Sequence, residues 1–344
     1  MSYTNGLDKP TDYFNTVLYT GNGGTNAITG VGFQPDLVWN KQRNGTNSHY
    51  LFNAITGTGK FLKSNSTDAE GTNTDTVTSF DSDGFTLGSA AGNNGSGNTM
   101  VSWNWLADNT SGSSNTDGSI TSTVSANTTS GFSIVSWSGS DANGTIGHGL
   151  GSAPRVIIIK NRGSAEQWYV YHESMGNGNK LTLNDTSAQS SAVDWWQDTS
   201  PTNLVFYVSG VDGINGANNM IAYCFAEKKG FSKFGSYTGN GSTDGTFVYT
   251  GFKPAMVIIK RTSGADRWVI SDNKRDPDNP VIGELNPNDS VAEDTTSTPF
   301  DFLSNGFKIR RIGNVFNGSG ETYIYMCFAE NPFVTSTSIP CTAR

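Results

Sequence analysis

Histidine and cysteine are scarce here: three of each in 344 residues. The odd, widely spaced thiols Cys224, Cys327 and Cys341 do not make a disulfide framework. No C-x-x-C pair supplies half a structural zinc site. None of His49, His148 and His172 belongs to an H-E-x-x-H pattern, since His172-Glu173 has no second histidine at the required spacing. Gly57-Thr58-Gly59-Lys60 continues into Phe61 and lacks the upstream glycine of a phosphate-binding loop, and no G-x-S-x-G elbow occurs. These absences leave no catalytic, cofactor-binding or metal-ligating set, and the chain reads as a non-enzyme without a cofactor.

Charge is also sparse, at 15% of residues, with a net value of −8. An acidic surface repels DNA and anionic lipid, which argues against a nucleic-acid partner. No apolar run reaches membrane-spanning length, so membrane insertion is not expected. Residues Met1 to Asn5 have neither a basic region nor an apolar core, so no secretion signal is expected.

What the chain has instead is glycine, at 41 positions, together with abundant Ser, Thr and Asn, and 39 aromatic residues. Ala, Leu, Glu and Lys, the good helix formers, are thin. Short runs of Val, Ile, Thr, Phe, Tyr and Trp between Gly/Asn/Ser clusters are the pattern of strands and turns.

The runs repeat. An aromatic–hydroxyl–glycine step recurs as Tyr19-Thr20-Gly21, Trp137-Ser138-Gly139 and Tyr237-Thr238-Gly239. A proline then precedes an apolar strand ending in lysine: Pro35 to Lys41, Pro154 to Lys160 and Pro254 to Lys260, with the same spacing each time. A second strand carries Tyr50-Leu51-Phe52, Trp168-Tyr169-Val170 or Trp268-Val269-Ile270. Asp83-Gly84 and Asn305-Gly306 are hairpin turns; the middle copy has Leu204 to Val208 there. An apolar strand ending at Ala107, Ala226 or Ala329 closes each copy. The expected fold class is therefore all-β: three tandem antiparallel β-sandwich (jelly-roll-like) modules, each roughly a hundred residues long. The divisions are an N-terminal arm over 1–12, modules over 13–108, 131–230 and 231–335, and a C-terminal tail over 336–344. Residues 109–130, rich in Gly, Ser, Thr and Asn, read as a flexible linker.

Two strands are apolar on both faces, Val156 to Ile159 and Ile324 to Phe328, whereas a solvated sheet alternates. One face fills the sandwich and the other needs a cover. Another module, an outer β-layer or another chain could supply it: insertions in the same module are one route, and copies of the chain, most simply as a homotrimer, the competing one. Cys224 and Cys327 fall at equivalent strand positions and read as small buried hydrophobes. Lys41, Lys160 and Lys260 read as strand-end charges that keep an edge soluble. The acids from Asp272 to Asp278 could hold Ca²⁺, but Pro277, Pro280, Lys274 and Arg275 favour a solvated turn. Glu70 and Glu293 recur between copies, which fits structure better than catalysis. Trp195-Trp196 has no counterpart in the other copies. It is either a stacking platform for a surface glycan or a plug over a sheet face.

Several segments carry a resemblance. They are Lys9 to Gly23, Gly32 to Trp39, Gly251 to Thr262 and Cys327 to Phe333. Together they resemble a virion-protein family of marine bacteriophages that infect cyanobacteria and SAR11-type bacteria, whose members are described as tail-fibre-like. The resemblance runs from about Lys9 to the chain end and implies no catalytic residues. It implies a virion location, assembly in the host cytoplasm and other virion proteins as partners. A tail fibre or tail-associated protein that touches a host cell-surface glycan or protein is the leading expectation. A capsid decoration or head/tail connector protein is the alternative, and a carbohydrate-active enzyme a further one.

Overall fold

The repeated aromatic–hydroxyl–glycine step marks a tight chain approach. A Cβ on Gly21, Gly139 or Gly239 would lie 2.2, 1.8 or 2.3 Å from the carbonyl oxygen of Gly95, Gly216 or Gly318. Only glycine lets the two backbones come so close, so the motif pins the end of the opening strand against the turn that feeds the closing strand. Asn94, Asn215 and Asn317 lock the same corner by donating to loop carbonyls at Gly24, Ala142 and Ser242.

The structure, a computed structural model, describes residues 7–341. It is all-β and antiparallel throughout its named sheets. Helical segments are single turns, such as Ala91–Asn94 and Asp212–Asn215. No helix among the described residues is long and apolar enough to cross a membrane.

The sheets fall into three successive pairs. In the larger sheet of each pair the closing strand lies between the opening strand and the Pro-to-Lys strand. Thr99–Trp105 thus separates Phe14–Thr20 from Leu37–Gln42, with Tyr50–Asn53 beyond. Asn219–Phe225 separates Phe132–Ser138 from Val156–Asn161, followed by Tyr169–His172. Thr322–Pro332 separates Ser232–Thr238 from Phe252–Arg261, followed by Val269–Asp272. A smaller sheet covers one face of each. It holds Asn26–Ile28, Gly84–Leu87 and Val77–Asp81 in the first pair and Gly144–Gly147 with Val205–Val208 in the second. In the third it holds Phe247–Tyr249, Gly306–Ile309 and Phe300–Leu303.

Strand periodicity then sends alternate residues to two different cores. Val38, Ile157 with Ile159, and Val257 with Ile259 point into the space between the two sheets of their own pair. Leu37 with Trp39, Val156 with Ile158, and Met256 with Ile258 point the other way, into one hydrophobic core shared by all three pairs. The doubly apolar strands are therefore covered within the chain. The faces that pointed to a homotrimer are sealed by the neighbouring sheet pairs, and they no longer call for a second copy.

Residues 109–130 differ from the expected linker. Ser113–Asn115 and Ser122–Asn127 are strands added to the edge of the second large sheet. Val124 is buried beside Val135 and Leu150, and Ser125 donates to Asp108 at 2.6 Å. Gly/Ser/Thr/Asn composition alone did not show that Ser122, Val124 and Ser125 pack or bond inward. Leu7 is buried in the shared core, and Ser336 N–H donates to Asp8 at 2.7 Å, so the segments beside the first and third sheet pairs touch.

Candidate functional site

The three sheet pairs meet in a closed ring. Trp105, Phe225 and Phe328 occupy matching positions on the three closing strands, opposite Leu37, Val156 and Met256. Their ring centroids form a near-equilateral triangle, with separations of 6.2 Å from Trp105 to Phe225, 5.6 Å from Trp105 to Phe328 and 5.8 Å from Phe225 to Phe328. Phe14 packs on Phe328, Phe132 on Trp105 and Phe234 on Phe225, each reaching into the pair before its own, and the first back to the third. Beside the triangle a void of about 10 Å³, lined by apolar side chains alone, is too small and too dry to hold a ligand.

Backbone bonds close the same ring at the rim. Glu70 N–H donates to the Arg162 carbonyl, Gln189 N–H to that of Thr262, and Glu293 N–H to that of Arg43, at 2.9, 3.0 and 2.8 Å. The first pair thus grips the second, the second the third, and the third the first. Two indoles follow this order. Trp168 Nε1–H donates to the Lys63 carbonyl of the first pair, and Trp268 Nε1–H to the Thr182 carbonyl of the second. His49 takes the corresponding place in the first pair, where its Nδ1 accepts from Trp39 Nε1–H at 3.0 Å.

Glu70 and Glu293, which recur in the sequence, are seam residues. Glu70 pairs with Arg162 at 2.7 Å and Glu293 with Arg43 at 2.8 Å. The region from Asp272 to Asp278 is not a solvated turn at its head. Asp272 and the Arg275 side chain are buried and paired at 2.6 Å. Arg275 also reaches Glu293 at 2.7 Å and the Ile270 carbonyl at 2.9 Å, and its guanidinium lies 5.6 Å from the Trp103 ring centroid. Trp103, from the first pair, donates its indole N–H to Asp272 at 3.0 Å. The charges that seemed to neutralise one another in water bind two sheet pairs together instead. Among the described residues no three His, Cys, Asp or Glu side chains converge on a metal position.

Lys41, Lys160 and Lys260 correct the solvated-edge reading: all three are fully buried. Each ammonium donates to the carbonyl of the next residue, at 2.6, 2.7 and 3.0 Å. Further acceptors are the Gly45, Ser164 and Thr186 carbonyls, the last across the seam from the second pair. Burial pushes each ammonium down from its ordinary value of 10.5 to about 8, and loop acids, including Asp289, Asp68 and Asp185 of the preceding pair in the ring, pull it partly back. Below pH 8 both folded and unfolded chains hold these protons, and the cost of buried charge is fully present. Between about 8 and 10.5 the folded chain has released protons that the unfolded chain still binds, so stability rises with pH. Above 9 the opposite trend of the buried Cys224 and Cys327 thiols, whose values burial raises, sets in. Unfolding free energies from urea titrations should therefore increase from pH 7.5 to 9, by on the order of 1 kcal/mol or less per lysine. A flat or falling profile over that interval contradicts the account.

Trp195 and Trp196 separate in the structure. Trp196 is buried in the second pair's core, edge-on to Tyr171, with its indole N–H on the Asn179 carbonyl at 3.1 Å. It has no face to offer a sugar and acts as a plug. Trp195 is half-buried, packed against Tyr169, with the Lys180 ammonium 3.8 Å from its ring centroid. The three histidines are buried, and burial holds each below its ordinary value, His172 at about 4.

The seam between the second and third pairs was not found from the sequence. It breaks the pattern of the other two. Thr262 stands where Arg43 and Arg162 stand, two residues after the buried lysine, and Gln189 stands where Glu70 and Glu293 stand. Met175 takes the place of Arg275, three residues beyond the strand partner of Val156 as Arg275 is beyond that of Met256. A groove of about 330 Å³ opens there. The signal was present in the repeats: Lys-x-Arg in two copies and Lys-x-Thr in the third.

A family model described as "Domain of unknown function (DUF7483)" matches residues 9–332. The chain belongs to this family. The match begins before the first opening strand and ends with the third closing strand, so it takes in the whole ring of sheet pairs. No match was found among curated proteins or among solved structures.

Proposed function

We propose that this chain is a structural component of a bacteriophage virion, a tail fibre or tail-associated protein that contributes to attachment at the host surface. The observation that carries the reading is how the polar and apolar inventory is used. Both faces of the central strands of the large sheets are interior, and the Arg–Glu pairs of two seams tie sheet pairs together. What faces outward is the outer faces of the smaller sheets, strand edges, loop ends and seam rims on a tightly fastened body, and recognition residues commonly sit on loops held by such a scaffold. The resemblance of Lys9 to Gly23 and Gly251 to Thr262 to marine phage virion proteins supports the same reading.

A capsid decoration or connector role is the second reading. It is favoured by one observation: the three sheet pairs close around a common aromatic triangle instead of stacking into a shaft. A density map of intact virions of a phage encoding the chain separates the two. Density of this shape at the tail is expected. The same density on the head surface would transfer the assignment to the second reading, and its absence from the particle would contradict both.

A further inference from the structure

We propose that the groove at the seam between the second and third sheet pairs is a binding site for a neutral saccharide. This deepens the attachment reading and rests on it, since it names the ligand class that the attachment surface would take.

The groove lies where the symmetry of the ring breaks. In the seam from the first pair to the second, Arg162 spans the rim: it pairs with Glu70 and also donates to Ser136 at 3.3 Å. In the seam from the third pair to the first, Arg43, Glu293 and Arg275 fill the same region. The backbone bond that defines the rim persists in the remaining seam, with Gln189 N–H on the Thr262 carbonyl at 3.0 Å. Both arginines are gone, replaced by the short Thr262 and the uncharged Met175, and Gln189 is a neutral side chain of the glutamates' size, so no ion pair spans the space and it stays open. Ser236 matches Ser136 in register, each facing an isoleucine of the closing strand, but no guanidinium arrives to take its hydroxyl.

The groove's chemistry is uniform. Ser174, Gln189, Ser236, Thr238 and Thr322 are exposed around it, and Thr262 lies at its back. Hydroxyls and a carboxamide both donate and accept, as the hydroxyls of a sugar do. Among the described residues no charged side chain lines the groove, so an ionic ligand would lose hydration there without a counter-charge. Met175 and Ile324 form a buried apolar floor suited to the C–H face of a pyranose ring. The volume falls at the lower end of the range of small-ligand sites, which suits one or two sugar rings.

The test uses the full chain. Saturation-transfer NMR is recorded with methyl glycosides of neutral hexoses and N-acetylhexosamines, with glucuronic acid as the anionic comparison. The filled variant is Gln189→Glu with Thr262→Arg, which rebuilds the ion pair that two seams already use and so should fold with an unchanged or higher melting temperature. We expect transfer to at least one neutral glycoside, weaker or no transfer to glucuronate, and at least tenfold weaker binding in the filled variant. Thr238→Trp, which blocks the groove from an exposed strand position, should give the same loss should the double variant not fold. Unchanged binding in either folded variant, or no transfer to any neutral glycoside, overturns the proposal. Virions that carry the chain while its groove takes no sugar sink the groove alone. Sugar binding by a chain absent from virions sinks the attachment reading alone.

Discussion

Replacing Trp105 by alanine will destabilise all three sheet pairs together, by about 3–5 kcal/mol. Trp105 belongs to the first pair by sequence and to all three by contact: its ring touches Phe14 at 4.9 Å, Phe132 at 6.3 Å, Phe225 at 6.2 Å and Phe328 at 5.6 Å. Truncation removes the contacts of a large ring and leaves a cavity that the four flanking strands cannot close. A small domain's total stability is about 5–15 kcal/mol, so the loss is a large fraction of what holds the ring shut. Trp105→Phe is the informative partner. Phenylalanine fills both matching positions, and the Trp105 indole N–H has no hydrogen-bond partner to lose, so this variant should cost less than about 1.5 kcal/mol. Urea unfolding followed by tryptophan fluorescence checks both. Equal losses for Ala and Phe would mean that the triangle does not carry the core.

Arg275→Met should cost about 3–5 kcal/mol, the second large effect. The guanidinium is the counter-charge for buried Asp272 and one of two for Glu293. Removing it strands Asp272 with only neutral donors, Trp103 Nε1–H and the backbone N–H groups of Lys274 and Arg275. Methionine is already the residue at this position in the second pair, where no buried carboxylate faces it, so chain geometry tolerates the substitution and the loss is electrostatic. Arg162→Met provides the scale. Its pair with Glu70 is partly solvated, with side-chain exposures of 16% and 12%, so about 1–3 kcal/mol is expected. Thermal melts of the two variants in parallel decide the order. A smaller shift for Arg275→Met than for Arg162→Met would contradict the buried network.

The strands were legible because repetition marks them: the Pro-to-Lys run and the closing run appear three times with matched spacing, and each is a strand. That both faces of Val156 to Ile159 needed covering was also legible. What covers them was not, because composition shows that a face is apolar and says nothing of whether its neighbour lies in the same chain or another. The same limit misplaced the lysines. A lone charge ending an apolar run looks like an edge residue, and it takes the carbonyl of the next residue together with that of Gly45, Ser164 or Thr186 to make a buried ammonium tolerable. For Arg275 the pairing with Asp272, three residues away, was legible but its burial was not, since Trp103, which donates to the same carboxylate, lies far off in sequence. Trp196 was read as either a platform or a plug, and its neighbour Tyr171 makes it a plug.

The three sheet pairs form a single cooperative body around the core they share. Native-state hydrogen exchange of wild type and Trp105→Ala, read by mass spectrometry on peptides from Thr99–Trp105, Asn219–Phe225 and Thr322–Pro332, tests it most directly. The prediction is that protection of all three closing strands drops by the same free energy. Loss confined to Thr99–Trp105, with the other two strands as protected as before, would show three separately stable sandwiches and contradict it.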